Sequence, residues 1–226
     1  QNICAAETAP LVILRTSAPT LDWDLGICGE IKAKVPNARL GVYGPVVPKV
    51  LSRIERENSI DYILKGDPDL TVEAMIEGKP EGEVNGLIFR DGNGDWVEND
   101  VQPFIRELDQ LPFPKWELLP YEKYRLPKSS TSSETAFLPI WSSRGCPIGC
   151  DYCPYPIGQG LPWRYRSAEN VVDEIEHLVR DLGIRYILFR DPMFSLNQKR
   201  VMKICEEIIN RDIHVKWRCE TRIDFL

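Results

Sequence analysis

Short apolar runs alternate with amphipathic stretches along the first third of the chain. Leu11-Val12-Ile13-Leu14, Leu40-Gly41-Val42-Tyr43 and Tyr62-Ile63-Leu64 have the length and composition of strands. Between and after them, the stretches from about Leu21 to Lys34, Lys49 to Glu57 and Leu70 to Ile76 carry apolar residues at helical spacing. A β-α-β-α-β order predicts a parallel sheet whose ligand-facing loops follow the strands. Only three strands are present, so residues 1–80 are expected to form part of a Rossmann-like domain whose beginning is missing.

The pattern then changes. Asn85 to Arg90 and Asp95 to Glu98 flank the turn Asp91-Gly92-Asn93-Gly94, which predicts a β-hairpin. The Asp91/Asn93/Asp95 spacing resembles a calcium loop, but Trp96 stands where glycine is needed and Gln102 where a bidentate glutamate is needed, so calcium is rejected. From Gln102 to Glu134 prolines and aromatics recur, with a Ser/Thr cluster at Ser129 to Ser133. That composition predicts an extended connector in which Trp116, Tyr121 and Tyr124 act as packing anchors, completing a segment at 81–135. A second alternating unit, 136–226, opens with the strand Ala136 to Trp141. Ser167 offers an N-cap to a helix striped with Val171, Val172, Ile175, Leu178, Val179 and Leu182, which Gly183 ends. Tyr186 to Phe189 is the next strand. Asn197 can cap a helix carrying Val201, Ile204, Cys205, Ile208 and Ile209, and Ile213 to Trp217 is a third strand. Three successive β-α units fit the first half of a (β/α) barrel, with its chemistry at the C-terminal strand ends; a Rossmann-type sheet would read similarly.

Composition narrows the classes. With 226 residues and 43% hydrophobic content the chain can bury one or two cores, and a net charge of -6 gives no basic footprint for nucleic acid. No apolar run approaches a membrane helix and no secretory signal is visible. The chain starts at Gln1 and is expected to be a piece of a longer protein. Seven cysteines, an odd number unevenly spread, argue against a disulfide framework and for a reducing cytoplasm. Cys28 and Cys205 read as small buried hydrophobes.

The densest chemistry is Ser143-Arg144-Gly145-Cys146-Pro147-Ile148-Gly149-Cys150-Asp151-Tyr152-Cys153. Its C-x3-C-x2-C spacing directly follows a strand. Three soft thiolates can hold zinc or an iron–sulfur cluster, and three local ligands leave one coordination position open for substrate or cofactor. Zinc knuckles supply paired C-x2-C units, and only Cys150/Cys153 has that spacing. The other class of reading is a zinc-stabilised Rossmann-like binding or scaffold protein without catalysis.

Cys146, Cys150 and Cys153, with aromatic Tyr152 before the last, resemble the signature of radical S-adenosylmethionine (SAM) enzymes. The resemblance extends through Trp163 to Ser167, Glu169 to Ile175 and Phe189 to Leu196, stretches similar to the cyclase-like and methylase-like radical SAM proteins that carry a cobalamin (B12)-binding domain. It implies a [4Fe–4S] cluster on the three cysteines, with SAM on the fourth iron. One electron then splits SAM to a 5′-deoxyadenosyl radical, for methyl transfer or radical cyclisation or rearrangement of an organic substrate. It implies an electron donor such as flavodoxin or ferredoxin. Tyr152 corresponds to the aromatic near the adenine. Arg190 and Asp191 stand where the family often has a Gly-Gly-Glu motif binding the SAM amino group, a motif this chain lacks, and Glu220 and Arg222 are further SAM or substrate contacts. Thr16-Ser17 and Tyr43-Gly44-Pro45 follow strands where cobalamin would meet the sheet, with Ser17 and Gly44 the candidate contacts. The Asp-x-His-x-x-Gly motif is absent from these 226 residues, and His177 and His214 lie outside that domain; three readings stay open, that the motif lies upstream, that cobalt lacks a histidine ligand, or that the domain has lost cobalamin.

Plainer readings stand beside these. Arg190 and Asp191 could form a salt-bridged turn, and Glu220 and Arg222 a solvated pair. Arg164 and Arg166 could meet anionic cofactor groups or lie on the surface. His177 reads as solvated on the polar side of its helix, and His214 as structural in a short strand.

Overall fold

The computed structural model describes residues 11–125 and 136–225; Cys4, the Ser/Thr cluster at Ser129 to Ser133 and both chain ends lie outside the described residues. The chain divides into two compact units, Gln1–Ile105 with Ile148–Gly160, and Arg106–Pro147 with Leu161–Leu226.

In the first unit β1 (Leu11–Arg15), β2 (Arg39–Tyr43) and β3 (Tyr62–Leu64) are parallel, connected by α1 (Leu21–Lys34) and α2 (Val47–Ile54) and followed by α3 (Asp69–Ile76). Pro48 occupies the first turn of α2, where its missing N–H has no intrahelical partner to lose. The expected hairpin is β4 (Leu87–Arg90) and β5 (Trp96–Glu98). It joins the sheet: β4 pairs antiparallel with β3, Ile63 opposite Ile88, giving the order β1-β2-β3-β4-β5. Period-two burial explains the layering. Leu40, Val42 and Ile63 point to α1 residues Leu25, Cys28 and Ile31, whereas Tyr62, Leu64 and Phe89 meet Val72 and Met75 of α3. Asp61 ties helix to sheet, accepting from Lys32 Nζ at 2.7 Å and the Leu40 N–H at 2.8 Å. In the hairpin turn, Asp91 Oδ1 accepts from the N–H groups of Asn93 and Asp95, so turn chemistry employs the carboxylate of the rejected calcium loop. The short helix α4 (Tyr155–Gln159) also belongs to this unit; a Cβ at Gly158 would lie 2.6 Å from Pro45 Cα.

In the second unit β6 (Leu138–Ile140), β9 (Tyr186–Phe189) and β10 (Lys216–Arg218) form a parallel sheet in the order β10-β9-β6. Between β6 and β9 lie the short antiparallel pair β7 (Ser143–Arg144) and β8 (Arg164–Tyr165) and helix α5 (Ala168–Arg180). Helix α6 (Gln198–Asn210) links β9 to β10. Both caps form as predicted: Ser167 Oγ accepts from the Asn170 N–H and Asn197 Oδ1 from the Arg200 N–H, each at 3.1 Å. Leu138, Ile140, Ile187 and Phe189 bury against Val171, Ile175, Leu178, Ile204 and Ile208, with Trp116 and Tyr121 of the connector packed on the same core. Asp109 pins the connector by accepting from the Ser167 N–H at 2.8 Å. The third strand starts later than the apolar pattern suggested. Asp212 adopts φ 52°, and the Ile213 N–H returns to Ile208 O at 3.0 Å, so Ile213 closes α6 and His214 is exposed rather than in a strand.

Candidate cofactor site

The cysteine loop leaves β6 through Trp141, Ser142 and β7. Gly145 (φ 79°) and Gly149 (φ 65°) take left-handed backbone conformations that permit its bends. Cys146 is buried and lies in the second unit; Cys150 and Cys153 are half-buried, in the 148–160 segment of the first. The Cys153 N–H donates to Cys150 O at 3.0 Å, closing the turn between the last two thiols. Tyr152 is 90% exposed, so its ring face is available to a ligand. None of the six described cysteines forms a disulfide. Outside the motif, burial pushes the Cys28 thiol up to about 11 and also raises Cys205 and Cys219, which keeps them protonated and poor metal ligands.

The donor set, three soft thiolates within eight residues and no fourth cysteine beside them, has the chemistry to hold an iron–sulfur cluster.

Behind Cys146 lies a buried polar network. Asp191, fully buried at the end of β9, accepts from the Ser142 N–H at 2.7 Å, from Ser142 Oγ, and from Ser143 Oγ at 2.9 Å. Burial raises its carboxyl above the ordinary range, while the serine hydrogen bonds and the Arg200 charge pull it down. Arg200, also buried, donates to Ser142 O at 2.8 Å and Arg166 O at 2.7 Å. Arg166 pairs with buried Glu174 and donates to Trp141 O and to Asn170.

These contacts revise several sequence expectations. Asp191 does not pair with Arg190; it has no exposed surface, because the strand end turns its carboxylate onto Ser142 and Ser143. Arg190 instead pairs with Glu220 at 2.6 Å across the ends of β9 and β10, and Arg222 pairs with Asp224 at 2.9 Å. Arg164 and Arg166 are buried rather than on the surface. His177 is anchored, Nδ1 lying 2.6 Å from Asp181 Oδ2. Ser142, Ser143, Glu174 and Arg200 were not anticipated. A glutamate on the apolar stripe of α5 was the one visible signal.

In the first unit the candidate cobalamin residues follow β1 and β2. Ser17 Oγ lies 2.8 Å from Thr20 Oγ1, Gly44 takes φ 150°, and the Thr16 hydroxyl is buried without a hydrogen-bond partner. An orphaned hydroxyl at a parallel strand end fits a site completed by a ligand.

No protein-family model matches the chain. It is 31% identical to an uncharacterised methyltransferase of Pyrococcus horikoshii, over 73% of this chain and 35% of the relative. It is 28% identical to the anaerobic magnesium-protoporphyrin IX monomethyl ester cyclase of Rubrivivax gelatinosus, over 88% of this chain and 36% of that enzyme. The chain thus spans about a third of the length of these curated relatives. Among solved structures, the radical SAM methyltransferase TsrM from Kitasatospora setae superposes with TM-score 0.66 at 20% identity, covering 89% of this chain and 40% of that one. The cobalamin-dependent SAM radical enzyme OxsB gives TM-score 0.69 at 19% identity, covering 92% and 30%. The chain shares the fold of the corresponding parts of these two enzymes: a partial Rossmann-like sheet followed by part of a (β/α) barrel. By sequence it is related to methyltransferases and anaerobic cyclases.

Proposed function

We propose that this chain is the cofactor-binding part of a radical SAM enzyme, with Cys146, Cys150 and Cys153 as the ligands of a [4Fe–4S] cluster. The observation that carries the reading is the C-x3-C-x2-C loop at the C-terminal end of β6, in a chain related to methyltransferases and cyclases. Held by these three cysteines, such a cluster would supply the electron for reductive cleavage of SAM. The chain's own residues bind and orient. Tyr152 offers an exposed ring to the adenine. The Arg190–Glu220 pair and Arg222 follow β9 and β10, where they can meet the charged groups of SAM or substrate. Thr16, Ser17 and Gly44 supply the strand-end loops for a cobalamin. The reaction is methyl transfer to, or radical cyclisation or rearrangement of, a small organic substrate. A flavodoxin or ferredoxin supplies the electron in a reducing, cytoplasmic setting. Among the described residues no helix is long and apolar enough to cross a membrane.

Anaerobic reconstitution of the full protein tests this. About four irons and four sulfides per chain are expected, with 5′-deoxyadenosine formed from SAM under reduction. Cys146→Ala, Cys150→Ala and Cys153→Ala should each abolish it, and Tyr152→Ala should keep the iron but weaken SAM binding. Stoichiometric zinc without iron uptake would overturn the reading.

A further inference from the structure

We infer that Asp191 is a positioning residue for Cys146, acting through Ser142 and Ser143 from a fully buried position. Asp191 closes β9, the strand beside β6, and its carboxylate gathers three hydrogen bonds from two consecutive residues, Ser142 and Ser143. Those residues stand four and three positions before Cys146. The opposite side of the same backbone is held by Arg200, which donates to Ser142 O at 2.8 Å and to Arg166 O at 2.7 Å. The Arg166 N–H donates to Ser142 O at 3.0 Å as well. The peptide leading into the cysteine loop is thus clamped between a buried carboxyl and a buried guanidinium. Neither group is exposed, and buried hydrogen bonds of this kind are costly to leave unmade. The direction from Ser142 through β7 to Cys146 is therefore set before any metal binds. The inference deepens the cluster reading, since positioning Cys146 matters to function only if Cys146 is a ligand.

The test separates the two. In the apo form of the full protein, the alkylation rate of each cysteine is read by mass spectrometry, without metal or SAM. Asp191→Asn should raise the rate at Cys146 about tenfold, the size expected when a buried hydrogen bond is lost from a locally opening segment. Cys205, on α6 of the same unit, should stay within about twofold and reports global loosening. Should Asp191→Asn not fold, Ser143→Ala removes one of the three bonds and should raise Cys146 reactivity about threefold. Glu169→Ala, which breaks an exposed pair with Lys203, should change neither thiol. On reconstitution, Asp191→Asn should hold less iron, while its cluster-loaded fraction binds SAM as the wild type does. Unchanged Cys146 reactivity in the variant that folds, or an equal rise at Cys205, overturns the inference. A SAM-binding loss at full iron content would make Asp191 a ligand contact and also overturn it. If wild-type protein takes up no iron but the reactivity pattern holds, the cluster reading falls and the positioning stands.

Discussion

The buried Arg166–Glu174 pair allows a quantitative perturbation. The Arg166 guanidinium donates to Trp141 O at 3.2 Å, Asn170 Oδ1 at 2.6 Å, Asn170 O at 3.0 Å and the Glu174 carboxylate. Glu174 is 1% exposed. Arg166→Ala leaves that carboxylate buried without its counter-ion, and breaking such a pair from one side costs about 3–5 kcal/mol. Glu174→Gln keeps the volume and an oxygen facing Nη1, so about 1–2 kcal/mol is expected. The double replacement Arg166→Met/Glu174→Leu removes both charges. It loses three bonds to neutral acceptors, roughly 1 kcal/mol each, and regains part of that in desolvation. Non-additivity of at least about 2 kcal/mol between Arg166→Met and Glu174→Leu is therefore expected. Urea unfolding followed by circular dichroism measures it as a midpoint shift at constant slope. Losses that add within about 0.5 kcal/mol would refute the idea that the pair acts as a unit.

The same pair has a signed pH dependence. Burial is the largest cause acting on Glu174 and raises its carboxyl, with the Arg166 charge and hydrogen bond pulling it down. Arg166→Ala removes that pull, so the folded-state value rises further above the unfolded one, about 4.3. A carboxyl raised on folding binds more protons in the native state. Its penalty is therefore absent below the unfolded value and grows as pH rises through the folded one. The deficit of Arg166→Ala relative to wild type should shrink as pH falls from 8 toward 5. A deficit independent of pH would show that the cost lies in lost packing.

Three further outcomes follow from close contacts in the first unit. Gly158→Ala puts a Cβ 2.6 Å from both Cα and Cβ of Pro45, so limited proteolysis between residues 148 and 160 should accelerate; an unchanged cleavage pattern would count against docking of α4 at that turn. Gly44→Ala combines φ 150° with a Cβ 2.0 Å from Thr16 O and should lower the thermal midpoint by several degrees, at about 2–4 °C per kcal/mol. Asp61→Ala removes the acceptor for Lys32 and the Leu40 N–H and should cost about 2 kcal/mol in urea unfolding, whereas a loss below about 0.5 kcal/mol would mark the contact as solvated.

Regular elements were legible because their signals are local. The period-two strands at Leu40 and Ile187, the stripe of α5 and the caps Ser167 and Asn197 are all set by residues within one turn of each other. The metal-ligand candidates were legible for the same reason, lying within eight residues. The polar network was not. Ser142 and Asp191 are 49 positions apart, and Arg200 and Ser142 are 58 apart. Arg166 was a surface candidate because a charged side chain is buried only with a partner, and its partner Glu174 reads as a stray charge in an apolar stripe. Asp191 was matched to a SAM contact by the resemblance, at the strand end where the family often has a Gly-Gly-Glu motif. That place is also what brings it beside Ser142, because β9 is the neighbour of β6.

Parallel strands of a β/α sheet end at one edge, so every loop there competes for the same space and the same buried charges. In the second unit Asp191 faces inward onto Ser142 and Ser143, while its chain neighbour Arg190 faces outward to Glu220. Adjacent residues thus divide the strand end between them, one fixing the backbone that leads to Cys146 and the other presenting charge to solvent. On the proposed reading, the inward carboxylate supplies rigidity at this edge and the outward charges of Arg190 and Glu220 are the ones that would meet SAM. Charge reversal of Arg190 should then alter SAM affinity with iron content intact, and Asp191 variants should alter iron content with intrinsic SAM affinity intact. A site in which both substitutions moved the same quantity would not be divided in this way.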